Sequence, residues 1–327
     1  MGSKERDIDI SIITVTYKSW DTLRDLLNSI QQSICKDLNI EIIIVDNYAQ
    51  DSEYLSVLKE FPNAIYIKNP KNSGFASGCN IGAKKAKGAY YLFLNPDTIA
   101  TKEAVSKMYA YLKHHDNCGI VSCKQKKMDG TFEKIKRYFP RLSTIFGFFR
   151  VVNNNALERN TKETENFLYP EWVSGAVVFM SSSWFSKVNG WNEDYWMYYE
   201  DIELSKNIRN LGGEVVLLKN CFIIHKHGVS SRINIKTTAI TKTEVLISKH
   251  VYLHNNFSRF YRFFLQSIVL FYNVFSKLII AIVSLPLCFI PKARLQILLL
   301  LNIANYYISA LQNGTWLSKR SVNYGKK

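Results

Sequence analysis

The chain has 327 residues, 47% hydrophobic and 21% charged. That is apolar material for a large core, and it excludes wholesale disorder and collagen or coiled-coil architectures. The net charge is +15, but 13 Lys/Arg face Glu244 alone between residues 228 and 327, net +12, so residues 1–227 carry only +3. No nucleic-acid partner is expected for so nearly neutral a main body.

In chain order, residues 8–16 (IDISIITVT) are rich in β-branched side chains and read as a strand. Ser19 or Asp21 can cap a following helix, because Leu23, Leu26, Leu27 and Ile30 keep the i, i+3, i+4, i+7 spacing. Residues 40–45 (IEIIIV) are apolar on both faces, as a buried parallel strand should be. A shorter strand is expected over 64–68, a helix with small residues on one side over 75–87, and a strand over 89–94. Thr101 caps a further helix carrying Ala104, Val105, Met108 and Leu112. This alternation implies a mostly parallel α/β sheet flanked by helices, with the ligand at the carboxyl ends of the strands. Residues 126–170 read as irregular loops. Strand character returns over 172–180, a short helix over 201–211, a strand over 213–218 and an extended piece over 221–225.

From about residue 258 the composition changes. Residues 263–291 are apolar apart from interruptions at Asn273, Lys277 and Pro286, and 295–318 carry no charge. Arg259, Arg262, Lys292 and Arg294 flank these runs and suit a lipid headgroup layer. Interfacial or re-entrant helices are favoured over a membrane span, which stays open, as does a buried hairpin packing on the main domain or on a second copy of the chain. The first ten residues contain no apolar signal-peptide core, and Arg6 stands where a myristoylation pattern has Ser or Thr. The six cysteines form no C-x-x-C, so a reducing compartment is expected.

Polar residues gather just past predicted strand ends. Asp46-Asn47 closes one strand and Asn95-Pro96-Asp97 another. A carboxylate there can accept hydrogen bonds from a base or ribose, or ligate Mg²⁺ or Mn²⁺ with hard oxygen, although turn formation explains Asp equally well. The glycines of residues 71–82 (KNSGFASGCNIG) are spaced G-x-x-x-G-x-x-x-G, which is not the dinucleotide fingerprint; close helix-to-sheet packing is the simpler reading. Glu200-Asp201 follows an aromatic run, where desolvation raises a carboxyl pKa toward base duty; a helix N-terminus also favours such acids. His225 and His227 point the same way on a strand, but further zinc ligands are lacking nearby.

The order of these stretches is more specific than any one of them. SIITVTY, EIIIVDN, NPKNSGFASGCNIG, YLFLNPDT, WVSGAVVFM, WNEDYWMYYEDIELSKNIRNLGG and HKHGVS follow one another as in the family 2 glycosyltransferases, and residues 8–260 resemble its bacterial rhamnosyltransferase-like members. The resemblance implies a GT-A catalytic domain over 1–257, with a nucleotide-sugar half at about 8–125 and an acceptor half at about 126–257, followed by membrane-associated helices and a basic tail over 258–327. It implies donor contacts from Thr16, Tyr17, Asp46, Lys71, Asn72, Gly74, Asn80 and Asn95, with Asp46 bonding the base. Asn95-Pro96-Asp97 stands where the family has D-x-D, so Asp97 is the better metal ligand. Trp172 and Gly175 are expected on the acceptor side, Asp201 as the general base supported by Glu200, and His225 as the further ligand of Mg²⁺ or Mn²⁺, with His227 as its alternative. The implied reaction is inverting transfer from a nucleoside-diphosphate sugar, with rhamnose the leaning, to a lipid-linked or glycan acceptor in O-antigen or capsule synthesis. The implied place is the cytoplasmic face of the inner membrane. Asn95 keeps a second reading alive, a non-catalytic membrane-bound member of a glycan assembly complex. A nucleotide-binding oxidoreductase is the third, and the missing fingerprint counts against it.

Overall fold

A computed structural model describes residues 8–33, 38–48, 52–141, 157–158, 161–226 and 234–326. The chain divides into two compact units, Met1–Asn192 with Glu200–Val229, and Glu193–Tyr199 with Ser230–Lys327.

The first unit is a nine-stranded sheet flanked by helices on both faces. Its strands are β1 (Ile10–Thr16), β2 (Ile40–Asp46), β3 (Ile65–Lys68), β4 (Tyr90–Leu94), β5 (Thr98–Ile99), β6 (Cys118–Lys126), β7 (Phe167–Leu168), β8 (Val177–Ser181) and β9 (Glu214–His225). They run in the order β3-β2-β1-β4-β8-β6-β9-β5, with β7 also on β9. The sheet is mostly parallel: the long ladders β3-β2-β1-β4 and β6-β9 are parallel, whereas β8 and the two-residue strands β5 and β7 join antiparallel. Register places Thr16 beside Asp46 and Asp46 beside Lys68, so the carboxyl ends of β1, β2 and β3 form one edge.

Alternation along β1 feeds a core on each face. Ile10 and Ile12 pack with α1 (Trp20–Ser33) and α4 (Lys102–His114). Ile13 and Val15 pack with α3 (Phe75–Ala83). The helix α3 lies very close to the sheet: a Cβ on Gly78 would come within 2.7 Å of Val15 Cγ1, and one on Gly82 within 2.5 Å of Ile13 Cγ2. Close packing therefore accounts for the glycine spacing. Thr101 caps α4 as expected, its hydroxyl accepting from Ala104 N–H.

Three segments depart from expectation. Strand β8 begins at Val177, five residues later than predicted, because residues 172–176 run as loop. The two pieces predicted over 213–225 are one strand, β9, interrupted where Cys123 pairs with Leu218 and Lys124 with Phe222. Residues 219–221 bulge out there, and such bulges re-aim the strand end. The described part of 126–170 is irregular yet tied down: Lys126 bridges Phe132, Glu133 N–H donates to Gln125 C=O, and β7 pairs with β9. Helix α2 (Glu53–Glu60), helix α5 (Ser182–Lys187) and helix α6 (Glu200–Asn210) complete the helices placed here.

The second unit holds α7 (Ile235–Asn256), α8 (Arg259–Ser284), a short 3₁₀ turn (Leu285–Leu287) and α9 (Pro291–Asn313). Asn234 caps α7 through its side chain, and Gly314 ends α9 in the left-handed region at φ 61°. The polarity of α8 is inverted: Gln266 and Asn273 are buried, while Phe260, Phe263, Phe271 and Phe275 are exposed. Inside, Asn273 donates to Tyr307 Oη at 3.1 Å and His250 Nε2 lies 2.9 Å from the same oxygen. Residues 259–287 and 291–313 are each long and apolar enough to cross a membrane, with mean hydropathy 2.2 and 1.2.

Candidate active site

The Asn95-Pro96-Asp97 stretch leaves β4 in a tight turn, with Asn95 C=O accepting from both the N–H (3.1 Å) and the hydroxyl (2.7 Å) of Thr98. This turn feeds β5, where Thr98 pairs with His225. The two predicted metal ligands thereby meet, with Asp97 Oδ1 lying 3.3 Å from His225 Nε2, both side chains buried. The other ring nitrogen, Nδ1, lies 2.9 Å from Gln125 Oε1 and 3.1 Å from Glu133 Oε1. Burial opposes charge on this imidazole, but hydrogen bonds to Asp97 and Glu133 outweigh it and push the pKa up to about 9. An acceptor on Nδ1 is what orients a metal-binding histidine, leaving Nε2 for the metal. A carboxylate beside an imidazole suits Mn²⁺ and, with water and phosphate oxygens, Mg²⁺. Asp97 and His225 thus fit a divalent ion, although no cluster of three or more His, Cys, Asp or Glu ligands occurs among the described residues. His227 lies outside the described residues.

The predicted base sits where α6 begins. Asp201 Oδ2 accepts from Gly175 N–H at 3.0 Å and Oδ1 from Ile202 N–H at 2.9 Å. A Cβ on Gly175 would lie 3.4 Å from both Asp201 Cβ and the Phe75 ring, at ordinary van der Waals contact, so Gly175 sits directly against both. The same loop reaches the N-P-D turn, because Asn95 N–H donates to Ala176 C=O at 3.0 Å. Burial raises the Asp201 pKa, against the pull of Gly175 N–H and the Arg137 guanidinium. Glu200 is raised well above the usual range, first by burial and then by the charge of Asp201, and its Oε2 has no partner. Burial and the neighbouring Asp201 carboxylate thus both favour the neutral form of Glu200. Asp201 keeps part of its surface open, whereas Glu200 is closed off. Tyr198 and Tyr199, immediately before it in sequence, both adopt positive φ (73° and 69°), a strained conformation of the kind stored at functional sites.

On the donor side, Thr16 is fully buried and its hydroxyl has no partner. Tyr17 is half-exposed and meets Tyr48 edge-on at 5.6 Å between centroids. Asp46 has no exposed surface: Oδ1 accepts from Tyr48 N–H at 2.9 Å and Oδ2 from Tyr66 Oη–H at 2.7 Å. Beside it, Asn47 donates to Gly74 C=O and accepts from Asn69, which fastens the 69–74 loop to the strand ends. Lys71 is exposed on that loop, Asn72 Oδ1 accepts weakly from Gly74 N–H at 3.3 Å, and Gly74 takes the φ of 89° that opens α3. Asn80 is engaged elsewhere, since its amide spans both backbone groups of Trp191 at 2.8 and 3.0 Å and so ties α3 to the 191 segment. Trp172 donates its indole N–H to Tyr138 C=O and lies under the Arg137 guanidinium at 4.8 Å.

Sequence reasoning passed over Glu133, Arg137 and Lys18. Arg137 bonds Glu133 at 2.7 Å, covers Trp172 and acts on Asp201, so one side chain touches both halves of the site. The signal was a period of two within residues 133–137, which puts Glu133, Ile135 and Arg137 on one side of an extended chain. Lys18 places its ammonium 3.9 Å from the Tyr48 ring centroid with φ at 53°. Only its position after a strand end hinted at this.

A buried acid–imidazole pair, Asp97 with His225, and a separate carboxylate, Asp201, are thus the candidate active-site groups on this mostly parallel sheet. The family model of glycosyl transferase family 2 matches residues 11–175, half of the chain, and this protein belongs to that family. A second model, described as the N-terminal domain of galactosyltransferase, matches residues 160–228. The chain is 31% identical over 115 residues to the Staphylococcus aureus poly(ribitol-phosphate) beta-N-acetylglucosaminyltransferase TarP, covering 34% of this chain and 35% of that protein. It is 21% identical over 235 residues to the Mycobacterium tuberculosis N-acetylglucosaminyl-diphospho-decaprenol L-rhamnosyltransferase, covering 66% and 75%. A crystal structure of GalNAc-T7 with UDP, GalNAc and Mn²⁺ shares the fold, with a TM-score of 0.55 and 13% identity over 69% of this chain and 45% of that one.

Proposed function

We propose that the protein is a metal-dependent, inverting glycosyltransferase that moves a sugar from a nucleoside diphosphate to a hydroxyl of a lipid-linked glycan at a membrane surface. The observation that carries this reading is the meeting of Asp97 with His225 at 3.3 Å, on a turn whose first residue is bonded to the loop that holds Asp201. Asp201 takes the proton of the acceptor hydroxyl. That oxygen attacks the anomeric carbon in line with the leaving diphosphate, and configuration inverts in one displacement. Asp97 and His225 would hold a divalent ion, which would neutralise charge on the leaving diphosphate. Asn95 and the 71–74 loop border the donor, with Tyr17 and Tyr48 at the base end and Asp46 fixing Tyr48 and Tyr66 rather than facing open space. Gly175 and Trp172 wall the acceptor side, and the Gly175 N–H and Arg137 oppose the burial that raises the Asp201 pKa.

The catalytic residues fall within 1–257 and the remainder carries the membrane contact. The outward phenylalanines of α8 support that contact, since exposed apolar patches of this extent mark membrane or partner surfaces. The M. tuberculosis relative is named for a diphospho-decaprenol substrate and a rhamnosyl group, which favours a lipid-linked acceptor and dTDP-rhamnose. A place on the cytoplasmic side in O-antigen or capsule assembly follows from the same reading. Calorimetry with Mn²⁺ and dTDP-, UDP- and GDP-sugars tests it. One donor class should bind only with metal, and Asp97→Asn or His225→Ala should abolish the metal effect. Absence of metal-dependent binding across the panel refutes the reading.

A further inference from the structure

Within the second unit, α7, α8 and α9 border an open cavity of about 250 Å³ lined by Lys242, Val245, Leu246, Lys277, Gln296 and Leu299. Two lysines share it, and among the described residues neither forms an ion pair. Glu244 is the one carboxylate between residues 228 and 327. It is buried, with Oε1 engaged by Ser318 at 2.9 Å and Arg320 at 3.1 Å. Like charges in one cavity repel, and an anion entering between them relieves that repulsion. Apart from Gln296 the remaining wall is apolar, and Lys277 sits on the helix that exposes Phe271 and Phe275. The cavity is below the roughly 300 Å³ of a drug-sized ligand site, so it suits a headgroup and not a nucleotide sugar.

We propose that this cavity binds the phosphate headgroup of a membrane amphiphile, with Lys242 and Lys277 on the phosphate, Gln296 hydrogen-bonded beside it, and the acyl or prenyl chain laid along the apolar face of α8. Basic pockets between membrane-associated helices bind anionic lipid heads by the same chemistry. The inference rests on the membrane contact proposed above and on no part of the transfer chemistry.

The test uses monomeric short-chain lipids, so it does not depend on the chain entering a bilayer. The full chain is titrated with dihexanoyl phosphatidylglycerol, with the zwitterionic phosphatidylcholine of equal chain length, and with inorganic phosphate. The anionic lipid should bind about thirty-fold tighter than the zwitterionic one, the worth of two lysines toward anionic lipid. Inorganic phosphate should bind more weakly than the anionic lipid. Lys242→Gln with Lys277→Met should remove the preference. Lys292→Gln with Arg294→Gln, an equal loss of charge outside the cavity, should keep it. Lys242→Gln alone, at an exposed position, should lower it in part and guards against misfolding of the double variant. Equal loss in both double variants, or a preference surviving without the two lysines, overturns the proposal. Inorganic phosphate binding as tightly as the anionic lipid overturns the lipid assignment. Co-sedimentation with phosphatidylcholine vesicles reports the membrane contact separately. Its failure alongside a retained lipid preference refutes that contact and leaves the site standing.

Discussion

Replacing Asp201 by Asn separates the chemistry of the pair from its architecture. Two backbone donors, Gly175 N–H and Ile202 N–H, point at the two carboxylate oxygens. Asparagine has one acceptor oxygen, so one donor must face an amide nitrogen, at a cost of about 1–3 kcal/mol in stability. Loss of a general base costs about 10²–10⁴ in rate, which is ~2.7–5.5 kcal/mol of barrier. Turnover should therefore fall about a hundredfold to ten-thousandfold, while donor affinity stays within about threefold, a change well under 1 kcal/mol. Glu200→Gln is the control, because glutamine imitates a neutral acid; it should keep at least about a third of the turnover, since burial and the charge of Asp201 both favour the neutral form of Glu200. Its stability effect carries a sign. The folded-state pKa of Glu200 lies above the ordinary 4.5, so its contribution is complete below pH 4.5 and is lost as pH rises through the folded value. The stability of the Gln variant relative to the unsubstituted protein should thus climb as pH rises above 4.5 until that value is passed. Single-turnover transfer assays and thermal melts from pH 4.5 to 8 measure both. Equal inactivation by the two substitutions, or more than a tenth of the activity left in Asp201→Asn, refutes the assignment of the charge.

Gly78→Ala should destabilise the first unit by about 1–2 kcal/mol in urea unfolding, because overpacking against Val15 outweighs the gain in helix propensity. His250 is held neutral, with its pKa pulled down to about 3 by burial and by Lys249. Its contribution is present above pH 6.5 and is lost as pH falls toward 3, by about 1.4 kcal/mol per pH unit. His250→Phe should flatten that acid limb, and parallel pH profiles would contradict this. Phe271→Ser with Phe275→Ser, two exposed rings stacked at 5.8 Å, should move the chain from the membrane pellet to the supernatant with little change in melting temperature. Carbonate washing should release the unsubstituted chain, and retention after the wash would favour a span.

The strands and helices around the donor edge were legible because each has a strong local cause: β-branched runs for β1 and β2, a threonine cap for α4, small residues for α3. The candidate acids and the candidate metal pair were legible as residue types in an order. Glu133 and Arg137 were passed over, because the alternating stretch 133–137 carries charge on both sides and so announces no core face, and its value lies in what it touches. Asn80 was placed correctly on α3 but not in its contacts, since a side-chain amide carries no sign of whether a backbone or a ligand will occupy it.

Local chemistry along the chain was thus sufficient for the family, the alternating α/β frame, the basic apolar end and the candidate acids. Three matters belonged to tertiary structure alone. The bulge in β9 and the turn after Asn95 bring His225 to Asp97. Burial and the Asp201 carboxylate raise the pKa of Glu200. The packing of α8 turns Gln266 and Asn273 inward and its phenylalanines outward. Each depends on which distant surfaces exclude water from a group, and proximity of that kind is a property of the folded chain and has no counterpart in residue order.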